Sequence, residues 1–96
     1  MKNLKAYPKL YEKVTNDHEH MLIKHGFQVV KNPSFDVNKY STVFEKYNRT
    51  AVKYRIILEE GSIQLYSFIP NMVLEWSISF SSGVPISILE QTIKAL

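Results

Sequence analysis

From Ala51 to Ser81 apolar residues recur at every second position, the period of an extended strand whose side chains point alternately to opposite faces. Val52, Tyr54, Ile56 and Leu58 form one set. Ile63, Leu65 and Ile69 form a second, and Met72, Leu74, Trp76, Ile78 and Phe80 a third. Turn-forming pairs punctuate the run: Asn48-Arg49 ahead of the first set, then Glu60-Gly61 and Pro70-Asn71. The opposite parity holds Lys53, Arg55, Ile57, Tyr66, Phe68, Val73 and Glu75. That face is more apolar and more aromatic than one meeting only water.

The punctuation predicts four strands at about 42–47, 51–59, 62–69 and 72–80, joined as antiparallel hairpins. Two-residue loops place Ile56 opposite Leu65, Leu58 opposite Ile63, Leu65 opposite Trp76 and Ile63 opposite Ile78. Apolar then meets apolar along one face, which a wrong register does not produce. Pro70-Asn71 suits a type I or II turn better than the hairpin types, so this connection has room for an extra residue. Phe27 to Val30 read as a further short strand, which would make the sheet five-stranded, and residues 31–41 as loop.

Residues 1–26 carry a helical stripe of Leu4, Tyr7, Tyr11, Val14, His18, Met21 and His25, spaced by three and four. Pro8 suits a first turn. Asn16 with Glu19 offers a second start, so two helices broken near Asn16 are an alternative to one. Gly26 is placed to end the helix in a left-handed conformation. A second helix is expected over 85–96, with Ser87 and Glu90 at capping-box spacing and Ile86, Leu89, Ile93 and Leu96 as its stripe. The expected fold is one α+β domain, a two-layer sandwich. An antiparallel meander sheet carries the N-terminal and C-terminal helices on one face, with Trp76 near the centre of the core.

Composition narrows the chemistry. The 96 residues include no cysteine, which removes disulfides, thiolate metal sites and cysteine nucleophiles. With three glycines there is no phosphate loop or dinucleotide fingerprint. Met1 to Leu10 lack an apolar run, no stretch approaches the about 20 apolar residues of a membrane span, and the expected compartment is the cytoplasm. Asn48-Arg49-Thr50 matches a glycosylation sequon without a secretory signal to make it relevant. His18, His20 and His25 near Asp17 and Glu19 lack the i, i+4 pairing of helical zinc sites, so no metal is expected. Glu59-Glu60 sits at a hairpin tip. A sandwich of this size has little space for a pocket of about 300 Å³. These features point away from an enzyme and from any cofactor.

Charge is uneven. Residues 1–55 hold eleven of the twelve Lys and Arg against five acids, whereas residues 56–96 hold one against four. The expected outer face has one row of Thr42, Arg55, Tyr66 and Glu75 and another of Phe44, Lys53, Phe68 and Val73, with Ile57 beside Gln64. Arg55, Tyr66 and Glu75 can be accounted for as a cross-strand ladder. Phe44, Phe68 and Val73 form a contiguous patch that needs a cover: the 27–41 segment, a second copy, or another partner. Glu45 falls opposite Val52 on the inner face, which requires either a bulge or an edge position reaching water.

The function expected is therefore a small non-catalytic protein-interaction or regulatory module. Phe44, Lys53, Arg55, Ile57, Tyr66, Phe68 and Val73 would form its contact surface, for self-association as a homodimer or for a protein target. Small domains of this kind include phage- and mobile-element-type inhibitors, an association rather than a deduction. The alternative is nucleic-acid binding. Bases would stack on Tyr66 and Phe68 while Lys53 and Arg55, with Lys46 and Arg49 at the hairpin edge, meet phosphates. The recognition-module consensus string is absent, and Glu75 would sit beside Tyr66. No membrane partner is expected.

Overall fold

The computed structural model describes residues 17–33, 35, 37 and 41–96. The stripe from Leu4 to Val14, the start at Pro8 and the break near Asn16 lie outside the described residues. A helix, α1, covers 17–24. Then come β1 (Gln28–Val30), β2 (Thr42–Tyr47), β3 (Lys53–Glu59), β4 (Ser62–Ile69), β5 (Val73–Ser81) and α2 (Ile86–Lys94). The strands form one antiparallel sheet in chain order, β1 to β5, so the short strand at 28–30 does join it.

Local chemistry sets the ends of these elements. Gly26 takes φ +90°, and its N–H donates to Ile23 O while Phe27 N–H donates to Leu22 O. This is the paired closure of a Schellman motif, and its two apolar flanks, Leu22 and Phe27, both enter the core. Glu60-Gly61 forms the expected two-residue hairpin, with Gly61 at φ +85°. The register of β3 on β4 is the expected one: Ile56 opposes Leu65 and Leu58 opposes Ile63. The next loop takes the extra residue. Asn71 and Met72 both have positive φ, and β5 begins only at Val73.

Two registers differ from expectation. Asn48-Arg49 is not a two-residue loop, because the connection runs from Asn48 to Val52. Asn48 Oδ1 accepts from Thr50 N–H (2.9 Å), Thr50 Oγ1 (2.9 Å) and Val52 N–H (3.0 Å), folding three further residues into the turn. The three-residue shift is odd, so it turns β2 over. Phe44 opposes Ile56 in the core and is fully buried, while Glu45 opposes Arg55 on the outer face. On β5 the shift is two, so Trp76, Ile78 and Phe80 keep the inner parity, opposite Ser67, Leu65 and Ile63. A bulge between Ser67 and Phe68 then sets Leu74 opposite Phe68 and Val73 opposite Ile69. Val73 thereby leaves the outer parity and Leu74 joins it.

Leu22, Phe44, Ile56, Leu65 and Leu89 are all fully buried and join Met21, Phe27, Leu58, Ile63 and Ile93 in one cluster. Both helices therefore cover the same face of the sheet. Trp76 lies at the margin of this core, half-buried on the edge strand, with its ring 6.3 Å from that of Tyr54. The capping box does not form: Pro85 stands at the N-cap of α2 with no side-chain cap. Glu90 instead reaches α1, where its Oε2 lies 2.7 Å from His25 Nε2 and 3.5 Å from Lys24 Nζ.

Candidate interaction surface

The outer face is organised around Glu45. Its carboxylate accepts from Arg55 Nε at 2.7 Å and pairs with Lys53 Nζ at 3.4 Å. All three side chains are under one-fifth exposed, and the single carboxylate engages both cations with charge-assisted contacts. The Arg55 guanidinium lies over the Phe35 ring at 3.8 Å and over Phe68 at 4.8 Å. Phe68 stacks in turn on Tyr66, with centroids 6.0 Å apart. Lys53 Nζ is 5.2 Å from the Tyr47 ring.

Of the seven residues expected at a contact surface, Lys53, Arg55, Tyr66 and Phe68 are brought together here. Ile57 shares their parity, opposite Gln64, but is buried, as is Val43. Phe44 is in the core, and Val73 lies on the inner parity three strands away from Glu45. The ladder through Arg55, Tyr66 and Glu75 is also replaced. Arg55 does oppose Tyr66, but its cation meets Phe35 and Phe68, and Ser77 stands across from Tyr66. Glu75, displaced by the bulge, accepts from Ser67 Oγ at 3.0 Å. Neither Glu45 nor Phe35 is expected in the network from the alternation. The one available signal was the awkward inward placement of Glu45, which marked the β2 register as wrong. Phe35 belongs to the 27–41 segment, so part of the cover comes from within the chain.

The other exposed feature is the far margin of the sheet. Val73 (52% exposed), Leu74 (51%) and Met72 (50%) are joined by Ile69 and Ile78. They sit where β4 and β5 meet their turn and along β5, the outermost strand, seven of whose nine residues are exposed. At the opposite margin an open groove of about 370 Å³ lies along β1 and β2, lined by Gly26, Val29, Glu45, Lys46 and Tyr47 among others. It is larger than the fold was expected to allow, though not enclosed. Lys46 Nζ donates to His25 O at 2.7 Å and stands 5.8 Å from the Phe27 ring centre.

His18 is buried, and His20 is exposed on the other side of the same helix. Among the described residues no three His, Asp or Glu side chains converge as a metal site would require. No helix among them is long and apolar enough to cross a membrane. Compared with known protein families, curated proteins and solved structures, the chain matches none.

Proposed function

We propose that the protein is a small non-catalytic interaction module that binds a protein surface, another copy of itself included, through the β5 margin of its sheet. The observation that supports this reading is the run of Met72, Val73 and Leu74, each at least half exposed, leading into β5, which among the described residues has no further strand on its outer side. Exposed apolar side chains grouped on an open edge gain by being covered, whereas scattered ones need no explanation. The outer face contributes less. Glu45 pairs with both Lys53 and Arg55, so the cations that a nucleic-acid reading requires are already engaged and the trio keeps a net charge of only +1. Phe35 occupies the face of Arg55 that a base or a partner ring would take.

The test is a Val73→Lys, Leu74→Lys double variant, whose fold is checked by circular dichroism. Both side chains are exposed, so folding should be retained. Wild type and variant are compared for mass in solution and for the identified proteins each retains when immobilised. The reading predicts loss of self-association or of a specific partner in the variant. Identical mass and identical retained proteins would overturn it.

A further inference from the structure

Resting on the reading above, we infer that the open edge of β5 pairs antiparallel with β5 of a second copy, about a two-fold axis at Ile78. The ladder phase identifies the backbone groups available. Ser82 N–H donates to Gly61 O, so by alternation Phe80, Ile78 and Trp76 direct their backbone groups to β4. Ser77, Ser79 and Ser81 then direct theirs to the open edge. A two-fold at Ile78 sets Ser77 against the partner copy's residue 79, and by symmetry Ser79 against residue 77, each pair able to exchange N–H···O=C bonds, while the bulge at Glu75 ends the ladder on that side.

The side chains fit the same axis because Trp-Ser-Ile-Ser-Phe is close to a palindrome. Trp76 comes to lie across from the second copy's Phe80 on the helix-bearing face, in non-hydrogen-bonded positions where side chains approach most closely. Ile78 meets itself, and serine meets serine on the outer face. An isologous dimer needs this self-complementarity.

Charge and shape permit the pairing. No charged residue occurs from Trp76 to Leu89, and β5 lacks the Lys or Pro with which solitary edges are usually protected. Its one charge, Glu75, falls opposite Ser81, which leaves the two copies' carboxylates about 20 Å apart at about 3.3 Å per residue. The bulge at Ser67/Phe68 bends the strand before Trp76 and so confines the flat segment to the palindrome. Pairing one strand buries less than the roughly 1,200 Å² of a standard interface, so the dimer should be weak and in exchange with monomer.

Sedimentation of the purified full chain from low-micromolar to near-millimolar concentration tests this. The expected result is a mass rising from one chain towards two. Ser79→Pro removes an outward N–H while sparing the ladder to β4, and should weaken association by about tenfold or more. Ser77→Glu with Ser79→Glu sets like charges across the axis and should do the same. Ser77→Lys with Ser79→Glu sets opposite charges there and should restore association. The Glu/Glu and Lys/Glu variants keep the test valid if Ser79→Pro fails to fold. A wild type that stays monomeric, or a Glu/Glu variant that associates as well as wild type, overturns the inference. A monomeric wild type that still loses an identified partner on Val73→Lys, Leu74→Lys leaves the broader reading standing.

Discussion

The two edges of the sheet face the same physical problem and differ in how it is handled. β1 is three residues long, and beside it lies Lys46, whose ammonium reaches the end of α1 and lies over Phe27. β5 is nine residues long, mostly exposed, and free of basic residues. A short strand flanked by lysine is a poor template for a further strand, whereas a long one without basic residues is a better template. Exposure of backbone is therefore not what separates the two margins. What separates them is the length of the unpaired ladder and whether charge or apolar surface lines it.

The sharpest way to break this comparison is to truncate a large ring near each edge. Phe44, on the strand beside β1, is fully buried, so Phe44→Ala should cost about 3–5 kcal/mol. Trp76 is the larger side chain but sits half-buried on β5, so Trp76→Ala should cost less, about 1–3 kcal/mol. Chemical denaturation of both variants checks the order. If tryptophan proves the costlier loss, the β5 margin is covered and the contrast fails.

These two residues also show how much of the fold was legible in the alternation. Period two fixed which residues of β3 and β4 share a face, and apolar matching fixed their register, because the Glu60-Gly61 hairpin has the length its sequence suggests. Inside and outside on β2 depended on a turn whose length is set by one side chain. Asn48 accepts three hydrogen bonds, a geometry that residue identity alone does not disclose. An odd shift moved Phe44 inward and Glu45 outward, and the expected contact row dissolved with it. The bulge opposite Ser67/Phe68 had the same consequence for Val73. Trp76 was misplaced for a different reason: size argues for burial, but strand order decides it.

Asn48→Ala should accordingly cost about 1–3 kcal/mol, since Thr50 N–H and Val52 N–H lose a common acceptor and Tyr54 Oη loses a donor at 3.3 Å. The measurement is the thermal midpoint, together with amide exchange at β2. If β2 re-registers as a two-residue hairpin, Phe44 amide protection should fall while that of β4 is unchanged. On the other margin, Met72 holds φ +59° while half exposed, so its side chain is strained and contributes little burial. Met72→Gly should stabilise the fold by up to about 1 kcal/mol, because relief of about 1–2 kcal/mol of left-handed backbone strain outweighs glycine's entropic cost of about 0.5–1 kcal/mol. A loss of stability instead would mean that Met72 packs against something that covers β5.

The smallest effect expected concerns the helices that flank the two edges. α1 leads into β1 and α2 follows β5, and His25 to Glu90 joins them across the helix layer at 2.7 Å. The carboxylate can only accept, so the imidazole donates. This hydrogen bond, helped by the Lys24 charge and against partial desolvation, holds Glu90 below its ordinary value of 4.5. A depressed carboxyl pKa adds stability that is present above the unfolded-state value and lost as pH falls through the folded-state one. Wild type should therefore lose thermal stability progressively below about pH 4.5, over and above the loss shared by its other carboxylates. Glu90→Gln cannot ionise. Its melting curve should lie below wild type near neutrality and converge with it in acid. Curves that stay parallel through that range would show that the pair joins the two margins in geometry without coupling them in energy.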